Sequence, residues 1–72
     1  MVEREGDLPR AIREYAEAVR LQPSLSRAQL DLGAVLAQSG RKAAAVPHLK
    51  LAAQAADNDV KQIALQLMKE VQ

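Results

Sequence analysis

Offset by 34 positions against itself, the sequence lays Gly6 on Gly40, Ala11 on Ala45 and Ala18 on Ala52, and it pairs Ile12 with Val46 and Tyr15 with Leu49. The coincidences fall where sterics tolerate least. A glycine that closes a helix in the left-handed conformation resists replacement, and an alanine where two helices cross sets how closely their axes approach. The stretches after Gly6 and after Gly40 are therefore read as one element met twice. A period of this length marks a unit that buries its apolar side only by stacking on its neighbours.

The units read as helical. Among the 72 residues Tyr15 is the only aromatic, so a core must be assembled from Leu, Val, Ile and Ala. Alanine has the best helix propensity, and small side chains let helix axes come close, which favours packed helices over strands. Punctuation then divides the chain. Asp7 can cap a first helix over residues 8–21, with Pro9 in its first turn and Pro23 beyond its end. Ser24 or Ser26 can cap a second over 25–39, closed by Gly40 in the left-handed position. A third, over 42–56, carries Ala45, Val46, Leu49, Ala52, Ala53 and Ala56 on its apolar side. Pro47 removes only the bond to the Ala43 carbonyl in the first turn, so this helix is expected to run through it. Ala45 is expected at a tight contact with helix two, facing Gly33 or Leu36. A fourth helix, over 59–71, can be capped by Asp57, Asn58 or Asp59, and its Val60, Ile63, Ala64, Leu67, Met68 and Val71 follow helical spacing.

These positions resemble the tetratricopeptide repeat family, whose helix-turn-helix unit has a Leu-Gly pair and a later large residue in its first helix. A turn Gly follows, then Ala, an aromatic, Ala and a closing Pro. Residues 26–59 supply Leu32-Gly33, Leu36, Gly40, Ala45, Leu49 and Ala52, and residues 6–23 supply Gly6, Ala11, Tyr15, Ala18 and Pro23. Gln29 stands where the family often has Trp, Leu49 replaces the aromatic, and Asp57 replaces the closing Pro. The resemblance implies an all-α fold of about four helices, antiparallel helix-turn-helix repeats stacked as a short right-handed α-solenoid. The single domain over 1–72 then divides into the second half of a repeat at 6–25, a full repeat at 26–59 and a capping helix at 60–72. If helix four repeated helix two, Gln66 and Glu70 would take the places of Leu32 and Leu36. Its polar side, with Lys61, Gln62, Gln66, Lys69 and Glu70, suits a helix that shields the last repeat from water. In a second reading, Val60 to Leu67 resembles the start of a HEAT-type helix.

Composition excludes several classes. With no cysteine the chain holds no disulfide, thiolate zinc site or iron–sulfur cluster. A net charge of +1 from 10 basic and 9 acidic residues spread along the chain gives no strong field for nucleic acid or anionic lipid. No unbroken apolar run exceeds that of Ala43 to Val46, so no membrane span is expected; a soluble chain is, with the compartment open and the cytoplasm favoured. His48 is the only histidine and lacks partners for metal or catalytic work, so a surface or half-buried role is expected. Asp57-Asn58-Asp59 lacks the glycine and closing glutamate of a calcium loop and reads as a helix cap. Gly33 and Gly40 do not form a phosphate-binding loop, and Ser24, Ser26 and Ser39 have no base at a recognisable spacing. No enzyme, no metal and no cofactor are expected.

One polar face remains. Arg27, Leu30, Asp31, Ala34 and Gln38 recur at i, i+3, i+4, i+7 and i+11 on helix two, apart from the Leu32-Gly33-Leu36 side. In the family this face lines a concave groove where peptides lie, and Lys61, one period after Arg27, extends it. Asp31 and Leu65 occupy the places where a carboxylate clamp would want Asn and Arg. The plainer reading is a solvated helix face with Arg27 and Asp31 as an i,i+4 pair. The function implied is a non-catalytic interaction module or scaffold that binds a protein or peptide segment. The alternative is a C-terminal structural cap of a longer repeat protein whose active or binding site lies outside this segment. With Met1 to Glu5 read as the last turn of an earlier helix ended by Gly6, residues 1–20 are expected to join upstream repeats or a second copy of the chain.

Overall fold

A computed structural model describes the backbone of residues 2–71 and the side chains of residues 8–71. Four helices follow one another: α1 (Val2–Leu21), α2 (Ser26–Gln38), α3 (Lys42–Ala53) and α4 (Asn58–Val71). The described chain is all-α.

The ends of the helices show which local signals acted. Gly40 has φ +86°, its N–H donates to the Ala37 carbonyl at 3.1 Å, and the Arg41 N–H donates to the Leu36 carbonyl at 2.9 Å. This paired closure satisfies carbonyls that the end of α2 would otherwise leave open, and it needs the left-handed backbone that glycine adopts without strain. At the other end α2 starts from Leu25, with no side-chain cap, so neither Ser24 nor Ser26 serves as expected. Asp57 caps α4, accepting the Asp59 N–H at 2.9 Å and the Val60 N–H at 3.5 Å on one carboxylate oxygen.

Two boundaries depart from expectation. Helix α1 spans Val2–Leu21 and runs through Gly6, so Gly6 closes no earlier helix, Asp7 lies inside the helix and not at its start, and Pro9 lies past the first turn. Glycine in a helix costs only about 1 kcal/mol relative to alanine, and Glu3, Arg4 and Glu5 propagate helix well enough to carry the backbone across it. Helix α3 stops at Ala53 instead of residue 56, where the Gln54 N–H bonds the Leu51 carbonyl and the Ala55 N–H bonds the Ala52 carbonyl in a tightened last turn. It does continue unbroken through Pro47.

Helix α2 is the centre of the packing. It touches α1, α3 and α4, whereas among the described residues α1 touches α2 alone and α3 joins α2 to α4. Leu30, Leu32, Val35 and Leu36 of α2 form a core with Ala45, Leu49 and Ala52 of α3 and with Val60 and Ala64 of α4. Leu8, Ala11, Ile12 and Val19 of α1 pack against it. Ala45 and Leu49 are both 0% exposed. The closest approach to Gly33 is made by Leu49 rather than Ala45: a Cβ built on Gly33 would lie 2.6 Å from Leu49 Cδ2 and 2.8 Å from its Cγ. The missing side chain therefore sets the distance between α2 and α3.

Candidate functional site

Because α2 is flanked by three helices, most of its circumference is covered, and what stays open is a ridge with a groove on either side. Asp31, Ala34, Val35 and Gln38 face Leu8, Ala11 and Tyr15 of α1 across a groove of about 290 Å³. On the other side, Ala34 and Gln38 border a second groove of about 300 Å³ towards Leu67, Glu70 and Val71 of α4, with Lys42 at its end. A larger depression of about 540 Å³ is formed by Arg10, Arg13, Glu14 and Glu17. All four come from the outward side of α1, and one helix alone offers a ligand no second wall.

Of the residues read from the sequence, Asp31, Ala34 and Gln38 come together on the groove between α1 and α2. Arg27 and Lys61 are exposed but border neither groove. Leu30 leaves the face: it is 5% exposed and belongs to the core, because α2 packs on three neighbours and buries the side that a helix with one partner would show to water. The expected i,i+4 pair of Arg27 with Asp31 does not form, and among the described residues the one ion pair joins Glu17 to Arg20 on α1. That hydrogen-bonded pair lowers the Glu17 carboxyl and raises the Arg20 guanidinium from their ordinary values. Both groups are exposed, so solvent screens the pair.

The wall contributed by α1 is apolar and only partly covered. Ala11, Ile12, Ala18 and Val19 are half-buried, and Tyr15 keeps 37% of its surface exposed. The opposite side, with Arg10, Arg13, Glu14, Glu17 and Arg20, is exposed.

A polar junction that sequence reasoning missed ties the groove's floor helix to its surroundings. Gln29 is 3% exposed, its Nε2 donates to the Pro23 carbonyl at 2.9 Å, and its Oε1 lies 2.8 Å from His48 Nδ1. A peptide carbonyl only accepts, so the Gln29 amide nitrogen faces Pro23 and its oxygen faces His48, which places a proton on Nδ1. His48 is half-buried, and that burial lowers its pKa below the ordinary histidine value by disfavouring the charged ring. The junction clamps the α1–α2 loop, α2 and α3 together, and among the described residues no buried side-chain nitrogen or oxygen lacks a hydrogen-bond partner. The available signal was a glutamine among apolar residues at a core position.

No group of three or more His, Cys, Asp or Glu residues suited to a metal ion occurs among the described residues. None of the described helices is long and apolar enough to cross a membrane. Compared with protein-family models, characterised proteins and solved structures, the chain matches none.

Proposed function

We propose that the chain is a non-catalytic interaction module of the tetratricopeptide-repeat type, docking a protein or peptide segment on the ridge of α2. The observation that carries this reading is the α1–α2 groove, where three residues of the polar α2 face meet an incompletely covered apolar wall. Support for the repeat architecture comes from the order of contacts. Each helix packs on its neighbours in sequence, and α2 also reaches α4, as stacked helical hairpins do. The glycine turn at Gly40 and the close α2–α3 approach at Gly33 fall at the positions that carry the resemblance.

Site-directed photo-crosslinking tests the docking. A benzoylphenylalanine at Gln38 is expected to trap a defined partner in cells, and one at Arg13 on the outward side of α1 is not. Equal adducts from both positions, or none from Gln38, would remove the groove from consideration.

A second reading is favoured by the partial exposure of Tyr15 and by α4, whose Lys61, Gln62, Gln66, Lys69 and Glu70 are all exposed. In it the segment is a structural cap within a longer repeat array, and α1 joins it to further repeats or to a second copy. Sedimentation of the 72 residues at rising concentration tests this. Self-association lost on Tyr15→Glu supports it, and a cooperatively folded monomer at high concentration counts against it.

A further inference from the structure

We infer that the α1–α2 groove selects a cationic side chain, a Lys or Arg of a partner peptide, held between the Asp31 carboxylate and the Tyr15 ring. The inference rests on the docking reading and specifies its ligand. Among the described residues Asp31 is the one charged group that lines this groove, set among Leu8, Ala11, Ala34 and Val35. It is half-buried, and among the described residues no cation stands within ion-pair distance of it. Arg27, one turn earlier on the same helix, is exposed and does not pair with it.

Any segment laid over the groove strips water from this carboxylate. An apolar or acidic segment leaves a covered, uncompensated charge, a penalty that the contacts of so small a groove do not offset. A Lys or Arg supplies the counter-charge and lays its aliphatic stem along the apolar wall. Tyr15 offers a partly exposed ring in the same groove, and the face of an aromatic ring attracts a cation. Gln38 adds an amide that both donates and accepts towards a peptide backbone. The groove on the other side of the ridge carries both Lys42 and Glu70, so it has no single sign, and the preference belongs to the α1 side.

The test titrates the isotope-labelled full chain with pools of capped heptapeptides whose central residue is Lys, Arg, Gln or Glu, the other positions being drawn from Ala, Leu, Ser and Gly. The Lys and Arg pools are expected to shift the amide signals of Tyr15, Asp31, Ala34 and Gln38, and to bind about tenfold more tightly than the Gln pool. Asp31→Asn should abolish that advantage, and Tyr15→Leu should weaken it several-fold. The ranking of the pools on the unaltered chain decides the question even where a variant folds poorly. Gln or Glu pools that bind the same residues as tightly as Lys would overturn the charge preference and leave the docking reading standing. Absence of shifts in the groove from every pool at millimolar peptide would overturn both. Groove shifts that grow with protein concentration alone would overturn the peptide ligand in favour of a second copy.

Discussion

Gly33→Ala isolates the contact that sets the spacing of α2 and α3. On an exposed helix the substitution stabilises by about 0.5–1 kcal/mol, because alanine loses less backbone freedom on folding. Here the new Cβ would stand 2.6 Å from Leu49 Cδ2 and 2.8 Å from Leu49 Cγ. Carbon atoms rest about 3.5–4.0 Å apart, so one side must yield by about 1 Å. Leu49 has nowhere to go: it is 0% exposed and held in the core shared with α2 and α4. Overpacking of this kind costs about 1–3 kcal/mol, which at least cancels the propensity gain and predicts a net loss of up to about 2.5 kcal/mol. Urea unfolding followed by circular dichroism measures it.

The diagnostic result is the coupling with Leu49→Ala. That truncation alone should cost about 2–5 kcal/mol, a large share of what a domain this small possesses, so the cycle is run in an osmolyte that strengthens burial. In the truncated background the obstructing atoms are gone, and Gly33→Ala should then stabilise. If Gly33→Ala stabilises the unaltered chain by the full propensity gain, α2 and α3 do not meet at Gly33 and the packing argument fails.

Three further outcomes are expected. Ala45→Leu, at a site with no exposed surface, should destabilise by about 1–3 kcal/mol in the same unfolding assay. Asp57→Ala removes the oxygen that accepts the Asp59 and Val60 N–H groups and should cost about 1 kcal/mol, with Asp57→Asn retaining most of it. Burial lowers the His48 pKa, so below about pH 6.5 the unfolded chain binds a proton that the folded chain resists. Stability is then full above that value and declines as pH falls towards the lowered folded value, and urea midpoints for His48→Gln should lose this slope.

Identical residues one period apart carried unequal weight, and the difference is physical. Gly40 could be read correctly because a left-handed closure has a local cause: the Arg41 and Gly40 N–H groups have the Leu36 and Ala37 carbonyls within reach. Gly6 has the same identity, yet α1 runs through it, since a glycine permits a turn without requiring one. The apolar periodicity of α2 is legible, but it sets the buried Leu30 on an open face, because periodicity reports which residues share a side, not how many neighbours the helix has. Helix α2 has three. The same fact explains the candidate site. Asp31, Ala34 and Gln38 were found from the helical spacing of one segment, whereas Leu8, Ala11 and Tyr15 joined them only once the packing of α1 was known. The Gln29–His48 junction was invisible for the related reason that its partners are 19 residues apart in sequence. A residue's type limits the bonds it can make, but a core glutamine is tolerable only if tertiary structure brings both an acceptor and a donor to it, and here Pro23 and His48 do so. That requirement gives the junction a role in the groove: by fixing the α1–α2 loop to α2, it sets the course of the chain between the two helices whose side chains face each other at Tyr15 and Asp31.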